Sequence, residues 1–360
     1  MEVYDLKPRH GVICSMPTDE FGYFGWPSVA RTEDGTLWAV ASGLRYAHIC
    51  PWGRTVLFKS TDEGATWSAM KTVNNTVLDD RDGGVVALPG NRIAVTWFTS
   101  NTKVYLDWIQ KYLGPQDVID RAVKAIDSIT DEERWQWSGS WLRVSMDGEH
   151  WSAPRRAPVN TPHGFIVLKD GSWLYFGKEW NVVKKDNHMS SHAAPIKAAR
   201  STDEGLTWEE LGTVPAGEYD TDKMHEPHVV ELPDGRLLGA IRYHAPFNIL
   251  FTESTDGGRT WSEIRDPNIA GSPPHLLLHS SGKLICSYGY RQEPYGERVA
   301  ISDDLGKTWT KDFILFNNAP NDDLGYPCTV ELANGDLLTV YYQHLMPGDK
   351  ASFLCTRWSL

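Results

Sequence analysis

The sequence predicts an all-β protein that folds as a single six-bladed β-propeller over residues 1–360, with a helical insertion at 101–137 within blade two. Two internal repeats, and the way they alternate, are the basis of this prediction. An octapeptide pattern, Ser-x-Asp-x-Gly-x-x-Trp, alternates along the chain with β-hairpins. Each hairpin supplies two strands and the octapeptide turn joins two more, which gives one four-stranded sheet. Such sheets bury their faces by packing around a central channel.

The octapeptide, called the Asp box below, predicts a turn between the third and fourth strands of a blade. Its Asp can accept backbone N–H groups across the turn, its Gly can take a positive φ, and its Trp can pack under the sheet. We therefore expect these aspartates to be structural and not catalytic. Full copies begin at Ser60, Ser201, Ser254 and Ser302, and a copy one residue shorter begins at Ser145.

Each hairpin consists of two apolar runs joined by a turn that contains glycine. Asp-Gly and Asn-Gly supply the positive φ that tight hairpin turns need. The sixth unit ends without an Asp box or a fourth strand. We expect residues 10–16 to supply that outer strand, because an open ring would leave two exposed sheet edges. The turn glycines are Gly35, Gly90, Gly171, Gly235, Gly282 and Gly335.

The segment 101–137 interrupts the pattern of blade two. Apolar residues recur at helical spacing over 105–113 and again over 118–126, on either side of Gly114 and Pro115. This predicts a helical hairpin. It is expected to pack on the propeller or on a second subunit, as in a homo-oligomer, or to cover the active site. The polar stretch 182–195 is predicted to form another long loop.

Composition narrows the classes of partner. The formal net charge of −12 argues against binding to nucleic acid or to an anionic membrane, and no apolar run is long enough to span a bilayer. The five cysteines are scattered and lack the spacing of a metal site. Reduced thiols and the absence of a signal-peptide pattern favour a cytoplasmic protein. No metal and no cofactor are expected.

One rim of the propeller is predicted to carry the functional site. The first strand of each hairpin starts where the second ends, so these positions share one face of the ring. Ionisable and aromatic residues concentrate there. The strand starts contribute Trp26, Asp80, Arg81, Asp82, His163, Glu226, His275 and Tyr326. The strand ends and the loops after them contribute Arg45, His48, Lys178, Arg242, His244, Arg291, Arg298, Gln343 and His344.

The chain resembles the sialidase superfamily of glycoside hydrolases. The resemblance lies in the Asp boxes and in two stretches that contain rim residues, MHEPHVVELPDGRLLGAIRYH and LGYPCTVELANGDLLTVYY. The resemblance spans nearly the whole chain and implies the sialidase fold. It implies that Tyr326 is the nucleophile and that Glu226 accepts its proton. It also implies that Arg242 and either Arg291 or Arg298 bind a substrate carboxylate.

The sequence also departs from the sialidase pattern. Gly25 stands where the first arginine of that family belongs, and the loop after the first hairpin, which contains Arg45 and His48, has no acid. Asp80 or Asp82 could replace the missing general acid, with His48 as a competing acid or base. The remaining substrate-binding candidates are Arg81, which could replace the missing arginine, Arg45, His163 and Trp26.

The function predicted from these residues is an exo-acting glycoside hydrolase. Its substrate would be a glycan that ends in an acidic sugar of the nonulosonic or uronic acid type. Two alternatives remain open on the same residues. One is a lyase that removes the C5 proton of a uronic acid, and the other is a propeller that binds carbohydrate without catalysis.

Overall fold

The computed structural model of the chain describes residues 6–179, 183, 194–244 and 246–360. Within them it contains six antiparallel sheets of four strands each. The first half of the chain contains the strands β1 (Arg9–Cys14), β2 (Tyr23–Arg31), β3 (Leu37–Arg45), β4 (Arg54–Ser60), β5 (Lys71–Asn74), β6 (Asp79–Leu88), β7 (Arg92–Ser100), β8 (Gly139–Ser145), β9 (Arg155–Ala157), β10 (Ile166–Val167) and β11 (Trp173–Lys178).

The second half contains β12 (Ile196–Ser201), β13 (Glu209–Thr213), β14 (Met224–Glu231), β15 (Leu237–Tyr243), β16 (Asn248–Ser254), β17 (Arg265–Ala270), β18 (Pro274–Leu278), β19 (Leu284–Tyr290), β20 (Gly296–Ser302), β21 (Thr310–Phe316), β22 (Gly325–Glu331), β23 (Leu337–Gln343) and β24 (Ser352–Trp358). Blades one to five are sheets of four consecutive strands, from β2–β5 to β18–β21. The six-bladed propeller expected from the repeats is confirmed.

The sixth blade closes the ring by joining the two ends of the chain. Its sheet has the order β1-β24-β23-β22, so the outer strand comes from the start of the sequence. β1 pairs antiparallel with β24, with Arg9 opposite Arg357 and Val12 opposite Leu354. The prediction for residues 10–16 is confirmed, and its cause is the edge of β24, which would otherwise remain unpaired.

The Asp boxes have the expected turn geometry. In blade four, Asp256 accepts the backbone N–H groups of Arg259 (3.0 Å) and Thr260 (2.9 Å), and the Thr260 hydroxyl donates to it (2.6 Å). Gly258 takes a φ of 93°. Trp261 is buried between blades three and four and stacks on Phe176. These aspartates hold the turns and are placed away from the cavity described below.

The insertion in blade two contains one helix more than the sequence predicted. α1 (Leu106–Tyr112) and α2 (Gln116–Asp127) correspond to the expected hairpin, and α3 (Asp131–Trp137) follows. Thr130 and Glu133 form a capping box at the start of α3, a signal that the sequence does contain. Three short 3₁₀ turns lie at Pro89–Asn91, Thr102–Tyr105 and Thr221–Lys223.

The apolar face of the insertion packs on the propeller. Residues such as Ile109, Val118 and Ile126 are buried against the loop after β3, where Cys50 and Trp52 lie. The insertion therefore supports the same loop that contains His48. Most of the loop expected at 182–195 lies outside the described residues. In the part of the chain that the model describes, no helix combines the length and apolar character needed to cross a bilayer.

Candidate active site

Four first strands share a backbone feature near their starts. Trp26, Asp82, Glu226 and Tyr326 have φ values of 52°, 47°, 46° and 55°. Each lies at a register shift near the start of the first strand of its blade. Positive φ is unfavourable for residues other than glycine and often occurs at functional sites, where the surrounding fold maintains it.

A cavity of about 290 Å³ lies between the insertion and blades one, two, three, four and six. Cationic, acidic and aromatic side chains from distant parts of the sequence meet in it. Its lining residues are His48, Ile49, Arg81, Asp82, Phe98, Ser100, Tyr105, Asn160, Lys178, His225, Glu226, Arg242, His244 and Tyr326. The convergence expected for Glu226, Arg242 and Tyr326 is therefore present in the structure.

Tyr326, Glu226 and Arg242 form a connected group in this cavity. The Tyr326 hydroxyl donates to Oε1 of Glu226 at 2.5 Å, and Nη1 of Arg242 donates to Oε2 at 2.5 Å. Nη1 also lies 3.3 Å from the Tyr326 oxygen, and Nη2 lies 3.2 Å from Nδ1 of His244. The arrangement pairs a phenol with a carboxylate that can accept its proton.

The two carboxyl groups of the cavity have pKa values shifted in opposite directions. Burial, with the nearby charge of Glu226, raises the pKa of Asp82 above the ordinary carboxyl range, although Arg81 opposes the shift. Burial alone would also raise the pKa of Glu226, but Arg242 and the Tyr326 hydroxyl outweigh it and lower that pKa. Near neutral pH, Glu226 is therefore ionised, whereas Asp82 still binds a proton in a substantial fraction of the molecules, so one group can accept a proton and the other can donate one.

Asp82 and Asp80 have different environments, although only Arg81 separates them in the sequence. Asp80 is fully buried and accepts hydrogen bonds from Asn74 (2.9 Å), from the backbone and hydroxyl of Thr76 (2.7 and 2.9 Å) and from Thr99 (2.7 Å). It does not line the cavity. The proposal of Asp80 as a catalytic acid is corrected on this geometry: its carboxylate fixes a turn.

Asp323 holds His48 in the cavity and was not among the residues singled out from the sequence. Nδ1 of His48 lies 2.8 Å from Oδ1 of Asp323, which also accepts from the hydroxyls of Tyr23 (3.0 Å) and Tyr342 (2.9 Å). Nε2 of His344 lies 3.0 Å from Oδ2. With Nδ1 engaged by Asp323, Nε2 is the nitrogen that His48 presents to the cavity.

The pKa of His48 is lowered by desolvation, and Asp323 only partly opposes this shift. The neutral imidazole is therefore the expected form near neutral pH, and it can act as a base at Nε2. Desolvation would raise the pKa of Asp323, but His48 and His344 outweigh it and lower it well below the usual range. A permanent negative charge thus fixes the orientation of the ring.

Arg81 faces the cavity, whereas Arg45 supports the structure behind it. The Arg45 side chain is fully buried, and both of its terminal nitrogens donate to Asp79 at 2.5 and 2.9 Å. Its remaining bonds go to Ser42, Ala47 and His48. Arg45 has no position in the cavity lining, so the expected role in substrate binding is replaced by a structural one.

Trp26 is buried and cannot serve as a platform for a sugar. Its exposed fraction is 0%, and its ring lies between the guanidinium groups of Arg45, 4.6 Å away, and Arg81, 4.1 Å away. It also contacts Tyr326 edge-on at 6.4 Å. Trp26 therefore positions Arg81 through cation–π contact, and its expected place among the substrate-binding residues is corrected to one in the core.

The two arginines of blade five lie outside the cavity lining. Arg291 donates to the Leu324 carbonyl at 2.7 Å, and its guanidinium lies 5.9 Å from the centre of the Tyr326 ring. Arg298 is buried and donates to the carbonyls of Glu297, Phe316 and Pro294. Arg298 is thus placed as a structural residue. Arg291 lies behind the proposed nucleophile, where its charge acts on the phenol.

His163 belongs to a buried cluster of three imidazoles. Its ring lies 5.6 Å from that of His228 and 5.0 Å from that of His275, and Nδ1 lies 3.0 Å from the Ser28 hydroxyl. It does not line the cavity, so it does not take the substrate contact considered from the sequence. Among the described residues, no group of His, Cys, Asp and Glu is arranged to hold a metal ion.

Lys178 and His225 add basic groups to the cavity from blades three and four. Nζ of Lys178 donates to the carbonyls of Thr221 (2.8 Å) and Met224 (2.9 Å), and desolvation lowers its pKa to about 8. Desolvation also lowers the pKa of His225, to about 4. Lys178 and His244 were minor candidates from the sequence, and both line the cavity. His225 was missed, although it directly precedes Glu226.

Comparisons with known proteins agree with this architecture. The family model described as "BNR repeat-like domain" matches residues 123–340, which is more than half of the chain. A protein of unknown function from Dyadobacter fermentans DSM 18053 superposes with a TM-score of 0.76 at 20% identity, covering 98% of this chain and 99% of its own. No curated protein sequence matches the chain closely enough to count as a relative.

Two solved glycosidase structures also share the fold. The intramolecular trans-sialidase from Ruminococcus gnavus, in complex with oseltamivir carboxylate, superposes with a TM-score of 0.66 at 15% identity, with 97% of each chain covered. An α-L-arabinanase from Penicillium chrysogenum, complexed with arabinobiose, superposes at 0.61 and 15% identity, covering 96% of this chain and 97% of its own. At such identities the likeness establishes the fold, which is the sialidase-type propeller expected from the Asp boxes.

The environment of Asp82 predicts an unusual stability effect. The pKa of Asp82 is higher in the folded than in the unfolded state, so the folded protein binds a proton that the unfolded chain releases. The free energy of unfolding therefore falls as pH rises from the ordinary aspartate pKa to the raised one. Asp82→Asn removes that cost. We expect the melting temperature of this variant, relative to wild type, to increase as pH is raised from 5 to 8.

Asp80→Asn is the matched control, because burial also raises the pKa of that carboxyl, to about 6, but its oxygens accept hydrogen bonds from Asn74, Thr76 and Thr99 that the substitution weakens. It should lower stability by about 1–3 kcal/mol. Thermal unfolding of both variants across this pH range is the measurement. A relative loss of stability in Asp82→Asn at alkaline pH would contradict the assignment of a protonated Asp82.

Proposed function

This chain belongs to the BNR repeat-like domain family, and from that premise we propose that it is a glycoside hydrolase that removes a terminal, carboxylate-bearing sugar from a glycan. The fold is one that glycoside hydrolases use. The observation that carries the proposal is the contact of the Tyr326 hydroxyl with Glu226, which Arg242 holds from the other side.

A tyrosine nucleophile suits an anionic sugar. A carboxylate nucleophile would be repelled by a carboxylate attached to the anomeric carbon, as in nonulosonic acids, whereas a neutral phenol is not, and tyrosine is the nucleophile of sialidases. Burial and the charge of Glu226 raise the pKa of Tyr326 well above its usual value, so the phenol keeps its proton at rest. The proton must therefore move to Glu226 as the bond to the sugar forms, and the existing hydrogen bond provides the path.

In the first step, the Tyr326 oxygen bonds to the anomeric carbon as the glycosidic C–O bond breaks. The Tyr326 proton passes to Glu226, and Asp82 donates its proton to the leaving oxygen. In the second step, water attacks the anomeric carbon and gives a proton to Asp82. The tyrosine oxygen leaves and recovers its proton from Glu226, so every group returns to its starting state.

Arg81 and Arg242 are the two arginines that line the cavity, and we assign them to the substrate carboxylate. Arg81 stacks on Trp26 and lies 3.7 Å from Asp79, which fixes its direction without a close ion pair. Lys178 adds a positive charge on another wall of the same cavity. This concentration of positive charge favours a carboxylate-bearing sugar over a neutral one.

A second candidate reaction uses His48. Its Nε2 faces the cavity, and Tyr326 lies in the same lining. In a lyase, His48 would remove the C5 proton of a uronic acid, and Tyr326 would give its proton to the leaving oxygen as the C4–O bond breaks and the C4–C5 double bond forms. Arg81 would neutralise the carboxylate. The products differ from those of hydrolysis by the ultraviolet absorbance of the unsaturated uronate.

The nucleophile pair is tested by two conservative substitutions. After a screen of sialic acid, uronic acid and arabinofuranose glycosides has identified a substrate, Glu226→Gln and Tyr326→Phe should each lower kcat/KM by at least about a hundredfold. The double variant should lose little more than either single variant, because the two groups act as one unit.

Tyr341→Phe is the matched control for these substitutions. It also removes a buried hydroxyl, one that bonds to Thr356 at 2.9 Å, but it lies outside the cavity lining. It should keep full activity. If Glu226→Gln and Tyr326→Phe were as active as this control, the roles assigned to the pair would be wrong.

The general acid is identified by varying the leaving group. Protonation of the leaving oxygen matters for an alkyl glycoside and little for an activated nitrophenyl glycoside. Asp82→Asn should therefore lower kcat/KM by about a hundredfold or more on the first and much less on the second. His48→Gln should show no such difference. The reverse pattern would assign the acid to His48.

A further inference from the structure

Two aromatic side chains on α1 are exposed to solvent although large apolar groups usually are not. Trp108 is 37% and Tyr112 is 66% exposed, and their ring centres lie 5.8 Å apart. The remaining apolar face of α1 is buried, with Ile109 at 0% and Leu113 at 4% exposure. The exposed pair is therefore a surface feature beside the packed face and not part of the core of the insertion.

This pair continues the wall of the cavity. Tyr105, which directly precedes α1, lines the cavity itself. Residues three and seven positions after it fall on the same side of a helix, so Tyr105, Trp108 and Tyr112 form one aromatic stripe. Along the helix axis, Tyr112 lies about 10 Å beyond Tyr105, which is the member of the stripe that lines the cavity.

Buried contacts inside the insertion fix α1, the helix that contains Trp108 and Tyr112. Arg134 is buried and donates to the side chain of Asn101 at 2.8 Å, where the chain leaves β7. Ile109 and Leu113 pack with the buried residues of α2 and with Cys50 in the loop that contains His48. The stripe is thus fixed relative to the catalytic residues, as a binding surface requires.

We propose that the aromatic stripe binds the sugars that follow the terminal one, on the leaving-group side of the cleaved bond. The proposal rests on the proposed function and names its substrate class: an oligosaccharide or longer glycan. A cavity of about 290 Å³ cannot enclose such a chain, so the rest must leave past the cavity wall. Pyranose rings present apolar C–H faces that pack on aromatic rings while their hydroxyls stay in water.

A second copy of this chain is the rival occupant. Two exposed rings offer far less than the roughly 800 Å² per partner that a stable interface buries. They continue a cavity that the chain forms by itself, and the apolar face that could have served a dimer is already buried in the insertion. A glycan that extends from the cavity needs only a narrow surface, which this stripe provides.

The experiment compares a substrate that has no sugar beyond the terminal one with a substrate that does. The probes are the glycosyl fluoride of the terminal sugar and a tetrasaccharide ending in the same sugar. Trp108→Ala with Tyr112→Ala should lower kcat/KM about tenfold to a hundredfold on the tetrasaccharide, mainly through KM. On the fluoride, kcat/KM should change less than about twofold.

Trp135→Ala is the matched control, since Trp135 is also an exposed aromatic side chain of the insertion, at 40%, and does not line the cavity. It should leave both substrates unaffected. An equal loss on fluoride and tetrasaccharide, or no loss on either, would overturn the proposal. So would a wild-type dimer in light scattering that becomes a monomer in the double variant, since the stripe would then bind a second copy.

Failure of the proposed function can be separated from failure of the stripe. If the wild-type protein cleaves none of the screened sugars, binding is measured by tryptophan fluorescence with 3′-sialyllactose, a tetragalacturonide and arabinotetraose. Binding of one of these to the wild type and to Trp135→Ala, with at least about tenfold weaker binding to the double variant, would support the stripe without catalysis. Equal affinity of all three proteins, or no binding, would overturn it.

Discussion

The active-site cavity depends on a backbone constraint, the left-handed residue near the start of the first strand in four blades. At Trp26, Asp82, Glu226 and Tyr326 a positive φ coincides with a register shift, and the side chain leaves the regular alternation of the strand. Three of the four side chains line the cavity, and Trp26 lies behind it as the support of Arg81. The propeller keeps these strained positions because every blade is held by its neighbours and β1 closes the ring.

Electrostatics then separates the roles of two carboxyl groups in one cavity. Glu226 has the Arg242 guanidinium against one oxygen and the Tyr326 hydroxyl against the other, which stabilises its charge. Asp82 has an oxygen without a partner among the described residues, so burial dominates and raises the pKa of that carboxyl. Because Asp82 is buried with an unpaired oxygen, the protein loses stability as pH rises. Functional sites often lower the stability of a fold in this way.

The repeats were sufficient to predict the propeller, its closure by the first strand, and the meeting of Glu226, Arg242 and Tyr326. Side-chain alternation in a strand would have placed Asp80 and Asp82 on the same face, with Arg81 opposite. The register shift between Arg81 and Gly84 breaks that alternation, so Arg81 and Asp82 line the cavity while Asp80 fixes a turn. No pattern in the sequence predicts a shift of strand register at this position.

The burial of each side chain and its hydrogen-bond partners also could not be predicted from the sequence. Arg45 and Arg298 lie at the predicted rim, but their guanidinium groups donate hydrogen bonds to partners within the fold, Asp79 and the Phe316 carbonyl. Asp323 was overlooked because its importance comes from four partners that the fold brings together, two of them more than 250 positions away in the chain. Residue types along a rim predict which groups are available, and only the packing decides which of them reach the cavity.

Trapping the sugar on the protein tests the role of Tyr326 most directly. A glycosyl fluoride with a second fluorine next to the anomeric carbon forms the covalent intermediate and releases it slowly. Mass spectrometry of the digested protein should then find the sugar on the peptide that contains Tyr326, and the label should disappear in Tyr326→Phe. A sugar attached to Asp82 or to Glu226, or hydrolysis without any covalent adduct, would contradict the assignment of Tyr326 as the nucleophile.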